Sequence, residues 1–163
     1  MSEISADELI NLAMEDLIDV EGKADVDLSH NQLLCGNFKI SPLKPSKIPL
    51  FMAIHLQKRN KVKILLPEEY KNVERYVERE EENEFFTELP EHFFEIAKIL
   101  KINMHEIEKL RQLRLKKFWN SLKNLEKGIL FMTNFTRWEF RQVKKYLVDV
   151  LKETKKLEKM KEN

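Results

Sequence analysis

Four histidines, His30, His55, His92 and His105, and a single cysteine, Cys35, are the side chains in this chain best suited to metal binding or nucleophilic attack. A structural zinc site needs Cys or His in close pairs, two to five residues apart. None of these five residues is so spaced, and no metal is expected. His92, beside Phe93, reads as a boundary residue with one buried face. Only three glycines occur, and no Walker loop, dinucleotide fingerprint or nucleophile elbow is present. Carboxylates are plentiful, but they cluster in runs such as residues 78–84. A general acid needs a desolvated carboxyl, and this run reads as an exposed, frayed helix end. No enzyme and no cofactor are expected.

A second constellation is basic. KLRQLRLKKFW, residues 109–119, sets five cations beside two aromatics. On a helix Arg111, Arg114 and Lys117 share a face that could grip phosphates. A helical nucleic-acid-binding module built on the basic helix 98–127, with weak direct DNA contact, is therefore the alternative reading. Against it, Phe118 and Trp119 fall on or near the apolar stripe of the same helix. The net charge is only +1. The aromatics are the stronger signal. Phe85, Phe86, Phe93, Phe94, Phe118, Trp119, Phe131, Phe135, Trp138 and Phe140 concentrate in the second half of the chain. A domain of that size can hide some of them, and a surplus suits an obligate subunit interface. Phe118, Trp119, Trp138 and Phe140 are expected in core or subunit contacts.

The composition agrees with a folded assembly protein. The chain has 163 residues, 42% of them hydrophobic and 35% charged. Charge comes in blocks. Residues 1–30 hold nine acids and one lysine, residues 39–63 seven bases and no acid, and residues 68–95 eleven acids and three bases. Such blocks make surfaces of defined sign that can select partners. A lone cysteine excludes an intramolecular disulfide. No leader-like segment and no membrane-length apolar run is seen, so a cytoplasmic protein is expected.

The elements that must position these residues change character along the chain. Leu9, Ile10, Ala13, Leu17 and Ile18 predict a helix over 6–18. Residues 20–30 look polar and turn-prone. CGNF, residues 35–38, predicts a hairpin turn. Pro42, Pro45 and Pro49 make an extended segment. A short helix over 50–58 and a strand over 62–66 follow. Pro67-Glu68-Glu69 opens a helix, and another opens near Pro90. Residues 104–127 predict a long helix stopped by Gly128. Thr136-Arg137-Trp138-Glu139 fits a capping box, and Phe140, Val143, Leu147, Val150, Thr154 and Leu157 form a heptad-like seam. The fold class is α+β, mainly α: a small mixed α/β domain over 1–66, then a four-helix bundle-like domain over 67–163.

The order of these elements resembles the GINS family, the accessory subunits of the replicative helicase, in the type whose small domain comes first. KIPLFMAIHLQKRNKVKILLPEEY, residues 47–70, is similar to that family's domain junction. Ile48-Pro49 leads into a short apolar helix, a basic knuckle follows at 57–61, and a strand ends in Leu-Leu-Pro. LPEHFFEIAKIL, with Pro90, Phe93 and Phe94, resembles a second family helix. NFTRWEFRQVKKYLVDVL, with Asn134, Thr136 and Glu139, resembles the last. The likeness runs from about residue 33 to residue 151; residues 1–30 match poorly. The compact length is similar to the archaeal type. The resemblance implies a non-catalytic subunit in a two-plus-two heterotetramer with a helical-domain-first GINS subunit. That tetramer would bridge the MCM helicase and a RecJ-like DHH-family protein at replication forks, with no membrane involved. Lys58, Arg59 and Lys61 of the knuckle are then expected to face a partner.

Overall fold

The computed structural model describes residues 4–27, 38–123 and 132–161. The fold is α+β and mainly helical. The chain divides into two compact units, residues 10–71 and a helical unit made of residues up to 9 and from 72 on.

Helix α1 (Ala6–Met14) opens on a capping box. Glu8 N–H donates to Ser5 Oγ at 3.1 Å, and the Glu8 carboxylate accepts from Ser5 N–H at 2.5 Å. Hydrogen bonding to the carboxylate from the Ser5 backbone N–H, and then from its side chain, holds the Glu8 carboxyl below its ordinary pKa. The helix stops four residues sooner than its apolar stripe suggests. Leu17 and Ile18 belong to strand β1 (Leu17–Gly22). Ile18, Val20 and Gly22 are buried while Leu17 and Glu21 are exposed, so a period of two wins over the helical spacing. Of the stretch 20–30 read as turn-prone, residues 20–22 belong to β1 instead and Val26–Asp27 form a short strand, residues 23–25 connect the two, and 28–30 lie outside the described residues.

β1 is the middle strand of a three-stranded sheet, flanked by β4 (Ser46–Pro49) and β5 (Val62–Ile64) in the order β4-β1-β5. Both pairings are antiparallel, with Ile18 opposite Ile48 and Val20 opposite Ile64. β2 (Val26–Asp27) pairs with β3 (Lys39–Ile40). The hairpin turn predicted at residues 35–38 lies, except for Phe38, outside the described residues. At Gly22 a Cβ would lie 3.0 Å from the Ser41 carbonyl carbon, so no larger residue fits there without moving backbone.

Helix α2 (Leu50–Lys58) follows Pro49 directly and buries Leu50, Met52, Ala53 and Leu56 over the sheet. The basic knuckle is its C-terminal cap. Asn60 has φ 58°, Lys61 N–H returns to Leu56 O at 2.9 Å and Asn60 N–H to Gln57 O at 2.9 Å. This is a Schellman motif, with asparagine tolerating the left-handed position. It turns the chain straight into β5.

Beyond Pro67 the helix breaks once. α3 (Glu68–Lys71) and α4 (Val73–Glu82) are separated by Asn72, at φ −131°, ψ 61°. α5 (Phe93–Leu100) ends on a second Schellman motif with Lys101 at φ 54°. α6 (Met104–Lys123) and α7 (Arg137–Lys161) are the long helices. Gly128 and Phe131 lie outside the described residues, as do the side chains of Thr154 and Leu157. Val73, Val77, Phe93, Phe94, Ala97, Ile107, Leu110, Phe118, Val143 and Leu147 form the core of the helical unit.

Candidate subunit interface

Arg114 occupies an apolar position. Leu110, Arg114 and Phe118 follow one another at steps of four along α6, and all three are buried. An arginine there must satisfy five N–H donors without water. It does. Nε donates to Glu139 Oε1 at 2.6 Å, and Nη2 to Glu139 Oε2 at 3.0 Å and to Asn134 O at 2.6 Å. Nη1 donates to Glu80 Oε2 at 3.0 Å and Thr87 O at 2.8 Å. The guanidinium also sits 5.0 Å from the centre of the Phe86 ring.

Both acids have further partners. Lys117 Nζ donates to Glu80 Oε1 at 2.9 Å, and Thr87 N–H to Glu80 Oε2 at 3.0 Å. Burial by itself would raise the Glu80 pKa. The Lys117 hydrogen bond, the Arg114 charge and the Thr87 N–H outweigh it and hold the carboxyl below its ordinary value. Glu139 closes the predicted capping box, accepting from Thr136 N–H at 2.9 Å and from Thr136 Oγ1 at 2.8 Å. Asn134, at φ 61°, turns its carbonyl toward Arg114 while its amide donates to Phe86 O at 3.1 Å. One buried clamp thereby joins the end of α4, residues 85–87, the middle of α6 and the start of α7.

Two sequence expectations are corrected here. Glu80 is not part of a frayed acidic end; it is fully buried. Arg114 and Lys117 do not offer a phosphate grip. Arg114 has no exposed surface and Lys117 is tied to Glu80. Arg111 bridges to Glu108 at 3.2 Å. The signal was present in the sequence as charged residues on apolar stripes: Val73, Val77 and Glu80 on α4, and Leu110, Arg114 and Phe118 on α6.

The clamp fixes an outer face whose aromatics stay partly open. Phe118 is 1% exposed and stacks on Phe135 at 5.6 Å. Its neighbour Trp119 is 38% exposed and meets Tyr146, 57% exposed, edge-on at 5.5 Å. Trp138 is half-buried, with Lys98 Nζ 5.3 Å from its ring centre. With its amide oxygen turned toward them, Gln142 accepts from Trp138 Nε1 at 3.0 Å and Arg111 Nη2 at 3.2 Å. Phe140 is 44% exposed. Of the anticipated contact residues, then, Phe118 is core, while Trp119, Trp138 and Phe140 reach the surface of the same unit. Sequence reasoning missed Tyr146, which lies off the seam, one helical turn beyond Gln142 on α7. Lys58, Arg59 and Lys61 are exposed on the other unit.

Among the described residues no cluster of three or more His, Cys, Asp or Glu could hold a metal, and no helix is long and apolar enough to cross a membrane. No protein-family model matches the chain. Among curated proteins it is similar to the probable DNA replication complex GINS protein PSF2 of Encephalitozoon cuniculi (strain GB-M1). The two are 29% identical over 160 residues, which cover 89% of this chain and 90% of that protein. The similarity spans nearly all of both chains.

Proposed function

We propose that this chain is a non-catalytic, architectural subunit of a GINS complex. The observation that carries the reading is the near full-length similarity to PSF2. The clamped α6–α7 face supports it, because Trp119 and Tyr146 leave aromatic surface open on the two long helices, as a subunit contact requires. In the simpler form of the assembly, two copies of this chain join two copies of a helical-domain-first subunit. The tetramer bridges the MCM helicase and a RecJ-like DHH-family protein. Its mechanism is differential binding. Contacts made only to the translocation-competent MCM ring shift the ring toward that state, and the hydrolysis of nucleotide belongs to MCM.

Native mass spectrometry on this chain, co-expressed with the helical-domain-first subunit of the same genome, tests the assignment. A two-plus-two tetramer is the expected mass. One copy beside three different subunits would keep the GINS reading and remove the archaeal-type stoichiometry. A monomer indifferent to its partner would remove both.

The knuckle supplies a separate check. Lys58, Arg59 and Lys61 are exposed on a turn whose shape depends on Asn60 and backbone hydrogen bonds, so reversing their charges should leave the fold intact. Changing all three to glutamate is expected to weaken MCM binding by about tenfold at low salt, with the difference shrinking as salt rises. Equal binding by both proteins in pull-down titrations would take this patch out of the interface.

A further inference from the structure

The helical unit carries a groove beside the first two-thirds of α7. Its apolar lining comes from Ile4, Leu9, Met132, Phe135, Phe140 and Val148. Ile4, Phe140 and Val148 are exposed, so the floor is open to solvent. The rest of the lining is mostly cationic: Arg137, Arg141, Lys144, Lys145 and Lys152 stand against one carboxylate, Asp149. Arg137 also reaches Glu91 at 2.8 Å. The spacing orders these residues into two rows. Phe140, Lys144, Val148 and Lys152 follow at steps of four, and Arg137, Arg141 and Lys145 do the same alongside. The first row alternates apolar and basic side chains, and the second is basic as far as Asp149, its next member.

We propose that this groove docks an acidic amphipathic helix of a partner protein. From Arg137 to Lys152 the groove follows α7 for about 22 Å, which matches a helix of roughly four turns. Such a partner places apolar anchors at steps of three and four on the floor and carboxylates along the basic row. Charge complementarity fixes the sign of the partner, and the floor fixes its class. A nucleic-acid backbone would use the cations but leave Ile4, Phe140 and Val148 without contacts. The inference rests on the groove and stands whether or not the replication reading holds.

The test uses the full chain and two fluorescein-labelled amphipathic peptides of about 18 residues. Both carry the same leucine face; one has glutamate on its polar face and the other lysine. Anisotropy titrations at about 0.1 M salt should show saturable binding of the acidic peptide and at least tenfold weaker binding of the basic one. Lys145→Glu with Arg141→Glu should weaken the acidic peptide at least tenfold, and so should Phe140→Ser. All three positions are exposed, and circular dichroism of the variants checks that the fold survives. Failure of the acidic peptide to saturate, equal binding of both peptides, or binding indifferent to these substitutions each overturns the proposal. So does a single-stranded oligonucleotide that binds more tightly than the acidic peptide and displaces it, because the surface would then belong to nucleic acid.

Discussion

Arg114→Ala is expected to destabilise the helical unit by about 3–5 kcal/mol, the range for removing one partner from a buried ion pair. The cost comes from what is left behind. Glu80 and Glu139 are buried, and both lose their hydrogen bonds to the guanidinium. The carbonyls of Thr87 and Asn134 lose donors as well. Both tryptophans, Trp119 and Trp138, lie in this unit, so their fluorescence during urea unfolding reports its stability. Arg114→Lys should recover only part of the loss, since an ammonium has three donors and no planar fork for the Glu139 carboxylate.

The pH dependence has a definite sign. Glu80 has a folded-state pKa held below its ordinary value. Its contribution is fully present above the unfolded carboxyl pKa of about 4.3 and is lost as pH falls through the folded value. In Arg114→Ala the same carboxyl is buried without that cation and protonates more easily. The gap between wild type and variant should thus be widest near neutrality and narrow in acid. A gap that is absent at pH 7, or that widens as pH falls, would show that the clamp does not contribute as described.

Much of the fold was legible because local chemistry and burial agreed. The capping box at Thr136 was readable because serine or threonine three residues before glutamate has one strong local use. Pro49 and Pro67 marked the ends of extended segments because proline constrains φ and the residue before it. The miss at Leu17 and Ile18 has a plain cause. Ala13, Leu17 and Val20 fit a helix as well as Ile18, Val20 and Gly22 fit a strand. What decides is pairing with β4 and β5, residues about thirty and forty-five positions away, and no local signal carries that.

The clamp was half legible for a similar reason. Glu139 was visible as a cap, but its second role depends on Arg114, 25 residues earlier. Runs of charge read as solvated faces because most are. Glu80 differs from Glu81 and Glu82 only in its phase on α4, which puts it three residues past Val77 on the buried face. The outer aromatic face was legible in kind, as a surplus, and not in membership. Phe118 and Trp119 look interchangeable in sequence, yet they lie about 100° apart around α6 and have opposite fates.

That contrast makes the second large effect. Phe118→Ala should cost about 3–5 kcal/mol of stability, the range for a large aromatic lost from a packed core. Its ring is 1% exposed and contacts both Phe135 and Trp119, so a cavity opens where α6 supports the chain leading into α7. Trp119→Ala removes a ring that is 38% exposed and rests on Tyr146. Its cost to the isolated chain should stay below about 1.5 kcal/mol, because much of that surface already meets water. If the face is a subunit contact, the loss should appear on assembly instead. A tryptophan at the centre of an interface is worth about 2 kcal/mol or more, roughly thirtyfold in affinity. Thermal melts of each variant by circular dichroism, beside titration with the partner subunit, separate the two quantities. Phe118→Ala melting like wild type would contradict the core assignment. Trp119→Ala that binds its partner with undiminished affinity would move the subunit contact off the α6–α7 face, leaving Trp119 and Tyr146 as an aromatic pair that merely covers the helix surface.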